Sequence, residues 1–269
     1  MSRASRLRPC VCIFHFAFFI ALSGCAAKRI ALPTDPGTPL PDFAQIHSQL
    51  SAACSGARTL TAELALSGRA GRQRLRGRVV SGFQRPASMR LEGVAPFGPP
   101  AFILVARGGE ATLLLPRDDR VVRGNKAEEI LGALTGVALA PADLQAALTG
   151  CVMTMPRATD GRMHAGGWAS IELEGGASLY VRQESGVWRI RAAHRGEWEI
   201  EYPMWQGNFP SVVRLRSEAA PQRIDLTAQV SQLEVNVDVD AGAFTVNVPA
   251  SARPLSLQEL RENGPLGTQ

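Results

Sequence analysis

Residues 59–80 read TLTAELALSGRAGRQRLRGRVV. Leu60, Ala62, Leu64 and Leu66 take every second place against Thr61, Glu63 and Ala65, and Leu75, Gly77 and Val79 then alternate with Arg74, Arg76 and Arg78. A strand turns successive side chains to opposite faces, so this period of two predicts strands with one apolar and one wet face. The pattern returns in Trp188, Ile190 and Ala192 against Arg189 and Arg191, and in Trp198, Ile200 and Tyr202 against Glu197, Glu199 and Glu201. It appears once more in Ile224, Leu226 and Ala228 against Asp225 and Thr227. Glu174-Gly175-Gly176, Ser185-Gly186 and Arg195-Gly196 punctuate these runs as turns. The expectation is a meander of antiparallel strands, mainly β, with a few helices.

A long sheet with one apolar face has to close on itself or be covered. The only strong helical material within it lies at residues 125–150. There Asn125 with Glu128 suggests a capping box, Ile130, Leu131 and Leu134 make an apolar stripe, and Gly136 stops the helix. Pro141 opens a second helix carrying Leu144 and Leu148, which Gly150 ends. Ahead of the sheet, Asp42 is placed to cap a helix whose Phe43, Ile46, Leu50 and Cys54 recur at helical spacing before Gly56.

The start of the chain has a different logic. Arg3, Arg6 and Arg8 precede an apolar run of about twelve residues, 11–22, followed by Leu22-Ser23-Gly24-Cys25. The run is short of the roughly 20 residues that a spanning helix needs. Residues 1–24 are therefore expected to be a lipoprotein signal peptide and Cys25 the acylated residue, with no cofactor beyond that covalent lipid. Each buried methylene of an acyl chain contributes about 0.8 kcal/mol, so several chains on one cysteine anchor a protein durably. Ala26, rather than Asp, after the cysteine resembles the outer-membrane rule of bacterial lipoproteins. That implies a lipid-anchored, periplasm-facing protein. Residues 25–41, with Pro33, Pro36, Pro39 and Pro41, read as an extended tether between anchor and domain.

The formal charge of +5 includes the three signal arginines, so the mature chain carries roughly +2, which argues against a nucleic-acid partner. With Cys10 and Cys12 in the signal and Cys25 acylated, Cys54 and Cys151 remain in an oxidising compartment. They either form a disulfide or stay as two buried thiols, and spacing does not decide which. His47, His164 and His194 are too scattered to predict a metal site. No Gly-x-Ser-x-Gly, His-Glu-x-x-His, Walker or dinucleotide motif occurs, and Asp118 with Asp119 reads as a charged hairpin tip. The protein is expected not to be an enzyme, and no catalytic residue is assigned.

Residues 127–150, AEEILGALTGVALAPADLQAALTG, resemble without gaps the corresponding segment of the LolB-like outer-membrane lipoproteins, of the LolA/LolB superfamily of lipoprotein carriers. Pro96-Phe97-Gly98 is similar to the Pro-Leu-Gly turn of that family, and the resemblance spans roughly residues 42–235. It implies an incompletely closed antiparallel β-barrel, covered by helices, around an apolar cavity that holds acyl chains. It also implies the partners: acylated lipoproteins, a LolA-like periplasmic carrier and membrane lipids. Phe97 then matches the apolar residue that protrudes and helps pass cargo into the membrane. Read from the residues alone, its ring could equally fold back onto Ile103 or Leu104. The chain departs from the family with Ala147 where a Trp is usual, and with Ala138-Leu139-Ala140 in place of Pro-x-Pro. It also continues past residue 235 with an apolar stretch, 244–249, that suggests a further strand, and with a short capped helix at 256–263.

The lipid-binding domain is thus expected over 42–250, with a C-terminal tail at 251–269. Alternation and the helix stripes nominate as cavity residues Leu64, Leu66, Leu75, Val79, Leu91, Ile103, Val105, Leu113, Leu115, Ile130, Leu134, Leu144, Leu148, Trp188, Ile190, Trp198, Ile200 and Ile224. For any one of them ordinary core packing is the competing role. Arg74, Arg76 and Arg78 are expected to be a solvated strand face, with anionic head groups or an acidic carrier as the other reading. The function so expected is acceptance of lipoproteins at the outer membrane. Its competitor is an envelope lipoprotein of the same fold that binds another lipid or scaffolds a complex.

Overall fold

In the computed structural model, residues 29–152, 155–219 and 223–262 are described, so the signal segment and Cys25 lie outside the described residues. The chain opens with a two-residue strand β1 (Thr38–Pro39) and helix α1 (Phe43–Ser55). A first meander follows: β2 (Thr59–Ala70), β3 (Gln73–Gln84), β4 (Ser88–Val94), β5 (Ile103–Arg107), β6 (Glu110–Leu115) and β7 (Arg120–Asn125). Two helices, α2 (Ala127–Thr135) and α3 (Pro141–Leu148), interrupt it. The second meander is β8 (Ala158–His164), β9 (Trp168–Leu173), β10 (Ala177–Glu184), β11 (Val187–Arg195), β12 (Trp198–Gln206), β13 (Phe209–Ser217) and β14 (Ile224–Val235). A two-residue strand β15 (Arg253–Pro254) and helix α4 (Leu257–Glu262) close the described chain.

These strands form one sheet in the order β1-β8-β9-β10-β11-β12-β13-β14-β2-β3-β4-β5-β6-β7-β15. The two meanders join where β14 pairs antiparallel with β2, Leu226 opposite Gly68. β7 and β8 do not pair with each other. The barrel therefore stays open along that seam; α2 and α3, which connect those two strands in sequence, form a lid that packs against β6, β7 and β13. The fold is mainly β, an incompletely closed antiparallel barrel capped by helices.

Register defines the barrel's two ends. Gln73, Ala70, Ile224, Ser217, Trp198 and Arg195 stand opposite one another in succession and mark one end, here the mouth. The loop after β4 and the turn between β6 and β7 lie at that end. The opposite end carries the β8–β9 and β10–β11 turns and the start of β2.

Both lid helices begin and end as local chemistry dictates. Lys126 N–H donates to Glu129 Oε2 at 3.1 Å, so Glu129, not the expected Glu128, closes the cap of α2. Gly136 ends the helix at φ +79° and donates its N–H to the Gly132 carbonyl at 3.0 Å, a left-handed stop that suits glycine. Pro141 sits in the first turn of α3, where its missing N–H costs nothing. Asp42 precedes α1 but makes no side-chain cap.

Residues 29–41 do not form the free tether that their prolines suggest. Ile30 N–H donates to Glu201 Oε1 at 3.2 Å, Asp35 Oδ1 is 3.1 Å from His164 Nδ1, and Thr38 pairs with Met163. The segment is strapped across β8–β12. Composition foresaw an extended backbone but not its partners. Glu201, buried with Arg214 beside it at 3.5 Å, is one such partner that no local pattern announces.

The C-terminal segment also differs from expectation. Residues 244–249 form no strand; a 3-10 turn at Ala241–Phe244 buries Phe244 instead, and pairing comes later, Arg253 beside Arg120. Asp119, the hairpin tip, accepts from Ser251 Oγ at 3.0 Å and so holds this segment. Helix α4 packs on α2 and buries Leu260. Ser256 and Glu259 cap it reciprocally: Ser256 N–H donates to Glu259 Oε2 at 2.8 Å and Glu259 N–H to Ser256 Oγ at 3.1 Å. The Ser256 backbone bond first, then its hydroxyl, holds the Glu259 carboxyl below the ordinary glutamate range. A lowered folded-state pKa gives stability that is present above the unfolded value and lost as pH falls through the lowered one. The protection factor of the Leu260 amide, its exchange rate relative to the unstructured chain at the same pH, is thus expected to fall on acidification, and Glu259→Gln should remove that pH dependence of protection. A profile unchanged by the substitution would contradict the cap.

Candidate functional site

Beneath the lid lies an apolar cavity of about 160 Å³. Its sheet wall comes from the inward positions of neighbouring strands: Leu64 and Leu66 on β2, Leu75, Val79 and Phe83 on β3, Leu91 on β4, Val213 and Leu215 on β13, Leu226 and Ala228 on β14. Its helical wall is Leu131 and Thr135 of α2, Val137 and Leu139 of the connection, and Leu144, Ala147 and Leu148 of α3. Thr135 is the only polar side chain among them, and its hydroxyl donates to the Leu131 carbonyl at 2.8 Å. Nothing in the lining asks for a polar ligand.

Size bears on what can enter. An apolar cavity of about 150 Å³ stays dry and takes a benzene-sized guest, whereas drug-sized ligands occupy about 300–1,000 Å³. The closed cavity therefore has room for the end of a hydrocarbon chain, and a longer guest needs the lid to move. Larger grooves of about 530 and 410 Å³ lie outside the barrel, the first beside Arg123, the second beside Glu63, Arg90, Glu92 and Glu234. The charged wall of the second suits a greasy guest badly, and the first, though lined mostly by Val, Pro and Ala, is an open surface groove away from the barrel's interior.

The lid is fixed at one end. Cys54 and Cys151 form a disulfide that ties the chain just after α3 to the end of α1. Gln145 Nε2 donates to the carbonyls of Ala57 and Arg58 at 3.2 and 3.3 Å, and Tyr202 Oη donates to the Cys151 carbonyl at 2.8 Å. Burial pushes the Tyr202 phenol far up, so it stays a neutral donor. All these ties lie at the end opposite the mouth. The connection between α2 and α3, residues 136–140, lies at the mouth, where Val137 and Leu139 pack with Ala70 and Ile224. This pair of helices, here the flap, is thus held covalently and by hydrogen bonds at the far end and by apolar contacts at the mouth.

The mouth also carries the 95–100 turn. Phe97 is 88% exposed, whereas Phe102, just past the turn, is 6% exposed. Phe102 turns inward because Gly93 leaves it room: a Cβ there would lie 2.6 Å from its ring. Arg117 donates to the carbonyls of Phe97 and Pro99 from the neighbouring hairpin and so fixes the turn. Pro96 and Gly98, which flank the ring, are exposed as well, and Gly98 takes φ +75°. The ring stands in solvent and does not fold back onto Ile103 or Leu104.

Of the nominated cavity residues, Leu64, Leu66, Leu75, Val79, Leu91, Leu144 and Leu148 line this space, and the others do not. Ile103 and Val105 point to the outer face, and Leu104 and Ala106 hold the inner positions of β5, because the segment around Phe244 covers that strand's outside and makes both faces apolar. Leu113, Leu115, Ile130 and Leu134 pack into the core, and the next residues round α2, Leu131 and Thr135, face the cavity instead. Trp188, Ile190 and Ile200 belong to the half of the sheet that α1 covers. Trp198 and Ile224 sit under the flap's tip, beside the cavity. Ala192 was placed on the inner face by alternation, but a bulge at Arg191 gives that face to Ala193. Phe83, Phe102, Val137, Leu139, Ala147, Val213 and Leu215 also line the cavity and, like Leu131 and Thr135, lie outside the nominated set; so do Leu226 and Ala228, although the β14 alternation marks them.

No sequence-family model matches the chain, and no curated protein matches it. Among solved structures it is similar to a LolA superfamily protein from Nitrosomonas europaea, at 12% identity and TM-score 0.48 over 76% of this chain and 97% of that one. It is also similar to a DUF1329 family protein from Desulfovibrio piger, at 11% identity and TM-score 0.46 over 77% and 98%. At these identities and scores the likenesses say nothing of ligand or activity.

Proposed function

We propose that this chain is an envelope lipoprotein that shelters acyl chains beneath its α2–α3 flap and, as an outer-membrane acceptor, passes lipoproteins from a LolA-like periplasmic carrier into the bilayer. The observation that carries this reading is the sharing of one end by the cavity's mouth and the exposed Phe97. Support also comes from the Leu-Ser-Gly-Cys25 motif and from the resemblance of residues 127–150 and 96–98 to LolB-like proteins. An aromatic ring on a rigid turn can enter the interfacial layer of a bilayer while the chains slide out behind it. Transfer needs no nucleotide, because a descending ladder of free energies from carrier to acceptor to membrane gives direction, and 1.4 kcal/mol per step is already tenfold. No catalytic step belongs to this reading.

Depleting the protein and fractionating the envelope tests it. Acylated lipoproteins should accumulate in the periplasm or inner membrane. Unchanged sorting would remove the acceptor role and leave an envelope protein that binds another lipid or scaffolds a complex. Phe97→Glu is expected to reduce delivery of bound lipoprotein to liposomes at least tenfold while uptake and Tm stay unchanged, since the ring packs on nothing. Undiminished delivery would show that the ring is no wedge.

A further inference from the structure

We propose that the β2–β3 hairpin is a docking surface for anionic phospholipid head groups, which holds the cavity's mouth against the bilayer. β4 ends at Val94, opposite Arg78, whereas β3 begins at Gln73. The five residues 73–77 thus run past β4, about 17 Å at ~3.4 Å per residue, beside the loop that presents Phe97. This projecting part carries Arg69, Arg72, Arg74 and Arg76, all exposed. Arg69 and Arg74 stand opposite each other in the ladder, and with Arg76 they point to the outer face. None of the four has a carboxylate within ion-pair distance among the described residues, although ion pairs are common elsewhere on this surface.

The nearby acids are already engaged. Glu63 pairs with Arg78 at 2.8 Å, Glu218 pairs with Arg223, and Asp225, opposite Arg69, lies 3.7 Å from both Arg214 and Arg216. Like charges packed this closely on a hairpin repel one another, so the arrangement is relieved by an external anion. The strap adds an orientation. It runs from the far end, at Asp35 beside His164, toward the mouth, at Ile30 beside Glu201. Cys25 stands five residues before Ile30, a reach of at most about 17 Å. Anchor, aromatic turn and arginine hairpin can then meet one membrane plane. The surface rests on the preceding reading only for what passes through the mouth.

The test uses the chain from Cys25 onward with Cys25→Ser, so that no acyl anchor contributes, in co-sedimentation with vesicles of phosphatidylcholine with or without phosphatidylglycerol. Binding should require phosphatidylglycerol and weaken with added salt. Each arginine near such a surface contributes about fivefold, so replacing Arg69, Arg72, Arg74 and Arg76 by Gln should lower the partition constant at least tenfold. The same four positions as Lys should restore it, since a charge is what is read. Acyl-chain uptake, measured on the Gln variant in detergent-free solution without vesicles, should be unchanged, which separates this surface from the cavity. Equal binding to both vesicle types, or a Gln variant that binds phosphatidylglycerol as the parent does, would overturn the proposal. So would a Gln variant that loses only transfer from a carrier protein, which would assign the hairpin to an acidic protein face.

Discussion

Reducing the disulfide between Cys54 and Cys151 is expected to lower the unfolding free energy by about 4 kcal/mol, because the bond closes a loop of 97 residues and the chain-entropy model gives about 4.7 for a loop near that length. The loop contains the first meander, the lid and most of the cavity wall. Urea unfolding with and without reductant reads the effect as a difference in extrapolated unfolding free energy, with a steeper slope for the reduced protein because its unfolded chain is less compact. A second consequence is local. The bond is the covalent tie at the flap's far end, so amide exchange across α3 should rise in the reduced protein more than exchange in β2 or β14. A difference below about 1 kcal/mol, near the bottom of the range for such bonds, would mean that the far end holds through Gln145 and Tyr202 alone.

The second large effect belongs to Ala147. Its methyl group lines the cavity from α3, at the position where the resembling family usually has Trp. Ala147→Trp should place an indole in the space that a hydrocarbon end would occupy. Uptake of an acyl chain is expected to fall by a factor of ten or more, with Tm moving only a few degrees because the ring fills a void and displaces little packed core. Ala147→Leu should give an intermediate loss. If the tryptophan variant takes up acyl chains as well as the parent does, the cavity is not where they go.

How much of this could be read from the sequence depended on whether a segment is wet on one face. β2 and β3 each have one wet side, so period alone put Leu64, Leu66, Leu75 and Val79 on the face that lines the cavity, whereas α3 is buried on nearly every side and its Leu144 and Leu148 were marked by apolar character and spacing alone. β5 reads Ile-Leu-Val-Ala with no polar alternate, and choosing its inner face needed knowledge of the C-terminal segment that covers the other side. On α2 the stripe Ile130, Leu131 and Leu134 is wider than the cavity. Which edge of the stripe faces the void is settled by where β6 packs, and no spacing encodes that. The bulge at Arg191 shifted alternation by one in β11, and the strap over Glu201 depends on contacts 171 residues apart. Local pattern fixed the elements, and long-range cover decided which apolar side chains leave space.

A hydrocarbon chain that enters beneath the flap from the mouth must pass one tryptophan and miss the others. Trp198 lies in the cluster under the flap's tip with Leu144 and Leu215, which also line the cavity, while Trp188 and Trp205 border a separate groove at the disulfide. The direct measurement is fluorescence quenching by a lipopeptide with a brominated acyl chain, in variants that keep a single tryptophan and carry Phe at the other three positions. Strong quenching of Trp198 and little of Trp205 are expected. Quenching of Trp205 with Trp198 left bright, or of neither, would contradict it.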